Sequence, residues 1–427
     1  MMEKEVLECL RTGDSCIHVK HKSGLDIYIS EMSGFSSIEA VFAAKYGSVN
    51  TMFRTKADKE YTTVPEGIAH FLEHKLFENE DCGVFELFAQ TGANCNAYTS
   101  FDRTGYTFSC SGNYQENLKI LLDFVQKPYF TKESVDKEMG IIGQEIQMTN
   151  DDPEWCVFFN MLRCMYHSHP VRNDIAGTKE SIAKITPELL YKCYNTFYNL
   201  NNMVLSIAGN ISADEVLAIC DECLKPCEDK GLESVFPNEP DAIVEAEIRE
   251  KQAVGASIFD LGYKCTPCSG REKTMKSIAA SVAGELITDP SSEMYQELLK
   301  KGIINSTFCY EVFCGDGYFT LIISGESEKP DIIRDKVQER IEGMLRDGIS
   351  EKDFRRFQKT LYASLVRELN NVELVSSLMM SAHMDGVPPF DTIDMLADLT
   401  AEDVLGFMAD GLKKEKAVLS VIERMDE

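Results

Sequence analysis

The sequence predicts an α+β fold made of two structurally similar α/β-roll domains, each a mostly antiparallel sheet with helices packed on it. Three observations lead there. The chain has 427 residues, beyond the roughly 250–300 at which a single core stops growing. Strand-like segments come in hairpins and runs, with helices between the runs, rather than in strict alternation with helices. The order of elements in the first half also recurs in the second, at low sequence identity. The expected division is a first domain at 1–224, a linker at 225–241 and a second domain at 242–427.

Residues 25–30 and 38–46 read as strands, the second leading into Gly47. Thr62, Thr63, Val64 and Pro65 are expected to open a helix, with a hydroxyl N-cap just before a proline. That helix carries GIAHFLEHKLFE, and VFELFAQTG forms a second one ending at Gly92. The stretch Asn96 to Cys110 is rich in Tyr, Phe and Thr and reads as a hairpin turning near Asp102. Helices follow at 114–126 and 131–149, the latter with Thr131 as N-cap. Next come a helix at 186–198, the strand MVLSIAG ending at Gly209, and a helix at 212–224. Residues 225–241 are polar and aperiodic and contain two prolines beyond Lys225–Pro226, which marks them as the linker. In the second half, QAVGASIFDLGY echoes the strand VFAAKYG. Helices at 271–288, 329–346 and 351–371 surround the strand YFTLIISG, and KAVLSVIE is a late strand.

Composition narrows the function. With 43 basic against 70 acidic residues the net charge is −27, which repels nucleic acid and anionic lipid surfaces; neither is an expected partner. The 15 cysteines are odd in number and scattered, and Met1–Asp14 lacks the apolar segment of a leader. A reducing cytoplasm is therefore the expected compartment. Neither the Cys265/Cys268 pair nor the Cys220, Cys223, Cys227 group completes a zinc knuckle alone.

Chemistry concentrates at His70, Glu73 and His74. Residues at i and i+4 share a helix face, with Cβ atoms about 6 Å apart. Two imidazoles so placed reach one tetrahedral ion, as an incidental pair on a solvated face would not need to. Glu73 lies beside them, free to take a proton from metal-acidified water without ligating the metal. The pattern is H-x-x-E-H. A catalytic zinc needs a third protein ligand. On helix 131–149, Glu138 and Glu145 are seven apart on one face, with Ile141, Ile142 and Met148 expected beside them. Carboxylates on an apolar face are costly unless paired or metal-bound, so either could be the ligand. His167 and His169, spaced i, i+2, are read as structural.

The runs GIAHFLEH, GANCNAYTSFDRTGYTF and KEMGIIGQEI resemble the pitrilysin/insulinase family of inverzincin metallopeptidases. The nearer likeness is to its two-domain, processing-peptidase-like bacterial branch, in particular to a subgroup associated with modification of elongation factor P. NMLRCMYHSHPVRNDIAGTKESIAKIT continues the likeness, which spans essentially the whole chain. Carried over residue by residue, the resemblance implies that His70, His74 and Glu145 bind one zinc. Glu73 would be the general base and Glu138 a carboxylate orienting a ligand. Asn96 and Ala97, in an N-A-x-T run, would receive the substrate backbone as an added strand. His and carboxylate ligands also suit other divalent ions.

The same resemblance implies zinc-dependent hydrolysis of short or unfolded peptides between two domains that open and close. It also implies an Arg and a Tyr in the second domain, in a run like L-R-x-K-x-G-L-x-Y. The matching run here is LLKKGIIN, residues 298–305, with Leu299 and Asn305 at those places. A dimer with an identical or related chain is one expectation. A metal-binding subunit with little activity of its own is the other.

Overall fold

A computed structural model describes residues 4–78 and 83–425; the first three residues of the Met1–Asp14 segment lie outside the described residues. The first run comprises β1 (Lys4–Glu8), β2 (Ser15–Lys20), β3 (Asp26–Glu31), β4 (Ile38–Ala44), β5 (Met52–Arg54) and β6 (Thr62–Thr63), then α1 (Ile68–Leu76) and α2 (Val84–Thr91). The hairpin β7 (Asn94–Thr99) and β8 (Thr104–Cys110) precedes α3 (Tyr114–Val125), α4 (Lys132–Asn150) and α5 (Pro153–Met165). Next are α6 (Lys179–Ile182), α7 (Pro187–Phe197), β9 (Met203–Gly209), α8 (Ala213–Cys223) and β10 (Glu233–Ser234). The second half holds β11 (Glu247–Gln252), β12 (Ile258–Lys264), α9 (Gly270–Thr288), α10 (Glu293–Lys300), β13 (Cys309–Gly315) and β14 (Tyr318–Glu326). It closes with α11 (Pro330–Asp347), α12 (Glu351–Glu368), α13 (Val372–Asp385), α14 (Asp391–Asp398), α15 (Ala401–Gly411) and β15 (Ala417–Arg424). The architecture is α+β, as expected.

The main sheet of the first unit runs β1-β2-β3-β9-β4-β8-β7 and that of the second runs β11-β15-β12-β14-β13. In each, one parallel pair (β3 with β9, β11 with β15) is followed by three antiparallel pairings in the same sequence. The internal repeat is therefore a repeat of topology.

The compact units are not contiguous in sequence, although contiguous domains at 1–224 and 242–427 are expected. The first combines the chain up to Ile146 with Asp174–Val235 and Leu365–Asp391; the second takes Gln147–Asn173, Phe236–Ser364 and Thr392–Glu427. Thus α13, from the C-terminal half, packs on β9, β4 and β3, and α5, from the N-terminal half, packs on β15, β12 and β11. Periodicity explains the need. On β9, Leu205 and Ile207 enter the core with Phe42, Phe71, Leu121 and Phe108, while Ser206 points to the opposite face. There Ser206 Oγ donates to the Ser376 carbonyl (2.7 Å) and Ser376 Oγ to the Ser206 carbonyl (3.2 Å). A strand buried on both faces, as β4 and β9 are, requires a layer on each.

Two local expectations differ. Thr62 and Thr63 pair with Phe53 and Met52 as a short strand, and the helix begins only at Ile68. The linker segment is tied down: Glu233 and Ser234 pair with Arg54 and Phe53. Glu239 accepts backbone N–H groups of His167, Ser168 and His169 and the Lys264 ammonium at 2.7 Å. His169 is buried there, its Nε2 3.0 Å from the Asp316 carbonyl, in keeping with a structural role. No helix among the described residues is long and apolar enough to cross a membrane.

Candidate metal centre

Helix α1 is held by Ile68, Ala69, Phe71, Leu72 and Leu76 in the core, which turns His70, Glu73 and His74 to its remaining face. The two imidazole centroids are 4.6 Å apart. Helix α4 is anchored by Val135, Ile142 and Ile146; Ile141 and Met148, expected on the same side, are exposed. That face brings Glu138 and Glu145 to α1. Glu145 Oε1 is 3.5 Å from His70 Nε2 and its Oε2 is 3.6 Å from His74 Nε2.

One ligand atom from each of His70, His74 and Glu145 lies within 4.8 Å of the others. Tetrahedral ligand atoms about 2.0–2.1 Å from a zinc sit about 3.3 Å from one another, so the donor set fits that ion with small adjustment. His70 Nδ1 is buried without a hydrogen-bond partner among the described residues, and its Nε2 faces Glu145. For His74 the other nitrogen is engaged: Nδ1 lies 2.9 Å from Glu138 Oε1, the contact that fixes a ligand's tautomer. Of the two carboxylates left open by spacing, Glu145 therefore faces the imidazoles and Glu138 stands behind one of them.

The charges are mutually supporting. The His70 contact holds the Glu145 carboxyl below the ordinary range, against its partial burial. Burial alone would raise Glu138, but its bond to His74 and the charges of His74 and Lys75 hold it low. Burial alone would lower His74, but Glu138 and the charges of Glu73 and Glu145 lift it.

Glu73 is buried and accepts a hydrogen bond from Thr99 Oγ1 at 2.8 Å. Sequence reasoning passed over Thr99 as a site residue; the available signal was its place in the NAYT run. Asn96 and Ala97 lie on β7, the last strand of its sheet, and β7 packs beside α1. One edge of β7 is therefore unpaired within its sheet, and Asn96 Oδ1 accepts from the Ala97 N–H at 2.9 Å. Leu299, 42% exposed on α10, and Asn305, bonded to Glu326, lie in the second unit. A cavity of about 600 Å³ lined by Lys56, Asp58, Lys192 and Tyr198 contains none of the site residues.

The description Insulinase (Peptidase family M16) matches residues 59–179, and Peptidase M16 inactive domain matches residues 184–361. The Bacillus subtilis protein YmfH, named an uncharacterized zinc protease, is 35% identical over 425 residues, covering 96% of this chain and 97% of its own. The chain belongs to peptidase family M16. An M16-like peptidase from Alicyclobacillus acidocaldarius is similar in structure at a TM-score of 0.92 and 32% identity, over 99% of both chains. Pitrilysin shares the fold, with a TM-score of 0.78 at 15% identity over 99% of this chain and 46% of that one. The Insulinase match takes in α1 and all of α4, so His70, Glu73, His74, Glu138 and Glu145 fall inside it.

Proposed function

We propose that this chain is a zinc-dependent endopeptidase acting on short or unfolded peptides, with one zinc held by His70, His74 and Glu145 and Glu73 as general base. The observation that carries the reading is the convergence of those three ligand atoms beside a buried carboxylate that is not one of them. Zinc in that place supplies Lewis acidity, making water a nucleophile near neutral pH and polarising a carbonyl. The chain's own residues do the rest. The β7 edge at Asn96 and Ala97 holds an extended peptide by main-chain hydrogen bonds. Glu73 takes the proton from water and passes it to the leaving amine. Glu138 keeps His74 in the tautomer whose Nε2 is free to bind.

A second reading has its own observation, the Leu299 and Asn305 positions. A site lacking those two side chains would hold metal yet need a related chain to bind substrate. The deciding experiment is metal content together with cleavage of a mixed library of unfolded peptides, on the chain and on Glu73→Gln. The expected result is about one zinc in both and cleavage in the wild type only, with turnover down at least about a hundredfold in the variant. Zinc in both and cleavage in neither supports the partner-dependent reading. Metal in neither overturns both.

A further inference from the structure

A general base works only if its carboxylate presents the right oxygen, and a glutamate has three side-chain torsions to fix. We propose that Thr99 is a positioning residue for Glu73, a role that rests on Glu73 being the base. Thr99 is the last residue of β7, and its Oγ1 lies 2.8 Å from Glu73 Oε2. The neighbouring hydroxyl, Thr104 Oγ1, is 3.4 Å away across the hairpin, and its own proton goes to the buried Tyr46 carbonyl at 2.8 Å. Thr99 has one proton and one short acceptor for it, so it donates to Glu73. Oε1 is thereby left as the oxygen that exchanges the proton.

The donor stands on fixed backbone. Ser100 N–H donates to the Arg103 carbonyl at 2.8 Å and closes the turn. Ser48 and Val49 N–H groups donate to the Ser100 and Phe101 carbonyls, each at 3.0 Å. Gly47 approaches so closely that a Cβ there would lie 2.4 Å from the Phe101 and Asp102 backbone. Arg103 grips Asp102 through two nitrogens and reaches Ser381 Oγ on α13 at 3.0 Å. The hairpin therefore meets the core, the 46–49 loop and α13, and carries Thr99 to Glu73 with little freedom. A strand that can receive substrate and a hydroxyl that sets the base are parts of one rigid hairpin.

The test uses the full zinc-loaded chain and one peptide selected from the unfolded library. Thr99→Val keeps the shape and removes the donor; kcat should fall roughly tenfold to a hundredfold, with KM and zinc content unchanged. Thr99→Ser restores the hydroxyl and should stay within about threefold of wild type. Adding Thr99→Val to Glu73→Gln should cost no further kcat, because the base it serves is gone. Wild-type kcat in Thr99→Val, an equal loss in Thr99→Ser, or a loss confined to KM overturns the proposal. If the wild type does not cleave, the functional reading fails separately. The contact is then judged by a double-mutant cycle of Thr99→Val with Glu73→Ala in unfolding free energy, because a glutamine would still accept from Thr99; additive losses overturn it.

Discussion

Asp260 shows what a single residue costs this fold. It lies on β12, 6% exposed. Burial pushes its carboxyl from 3.8 to about 7 against a hydrogen bond from Ser324 that pulls the other way, and the charges of Glu311 and Glu154 add to the rise. Between those two pH values the folded chain keeps a proton that the unfolded chain has lost, so stability falls as pH rises through that window and is flat above it. Asp260→Asn should be neutral near pH 4 and stabilising above pH 7, by about 2–4 kcal/mol, measured by urea unfolding at both pH values. An unchanged pH profile would sink the assignment. At the proposed metal centre, Glu138→Gln keeps the shape and weakens the grip on His74. Zinc affinity should drop about tenfold to a hundredfold, read by competition with a chelator.

At the scale of the element, the start of α1 sets the register of the proposed ligands His70 and His74. Gly67 precedes the helix at φ 84°, and a Cβ there would lie 2.3 Å from the Ala176 carbonyl oxygen. An alanine pays both for the left-handed conformation and for that collision. Gly67→Ala should destabilise the chain by at least about 1–3 kcal/mol and lower zinc occupancy by shifting His70 and His74 against Glu145. Thermal unfolding together with metal analysis checks both; a variant with wild-type melting and full zinc would show that the helix start tolerates a side chain.

At the scale of the molecule, the first unit is incomplete without a helix from the far end of the sequence. Helix α13 buries Val372, Val375, Met379, Met380, Ala382 and Met384. At about 2 kcal/mol for each larger side chain this approaches the whole stability of a domain, roughly 5–15 kcal/mol. A fragment of residues 1–241 should therefore fail to fold cooperatively, and the same fragment fused through a flexible linker to residues 365–391 should recover a two-state transition and bind zinc. Circular dichroism melts of the two fragments decide it: a cooperative transition in the shorter one would remove the need for α13.

The sequence by itself determined the chemistry that depends on local spacing. His70 and His74 share a face because a helix repeats every 3.6 residues, and the same period aligns Glu138 with Glu145. The β7–β8 hairpin followed from Tyr- and Thr-rich strands around a turn, and the paired sheet topologies followed from the repeated order of elements. Tertiary structure alone decided which carboxylate faces the imidazoles, that Thr99 holds Glu73, that α1 waits until Ile68, and that α5 and α13 each complete the sheet of the other half. Those choices are made between groups far apart in the chain. Periodicity shows that β4 and β9 need cover on both faces, and it says nothing about which of several amphipathic helices supplies it. That is settled by burial and by reciprocal bonds such as Ser206 with Ser376, which exist only once the chain has closed.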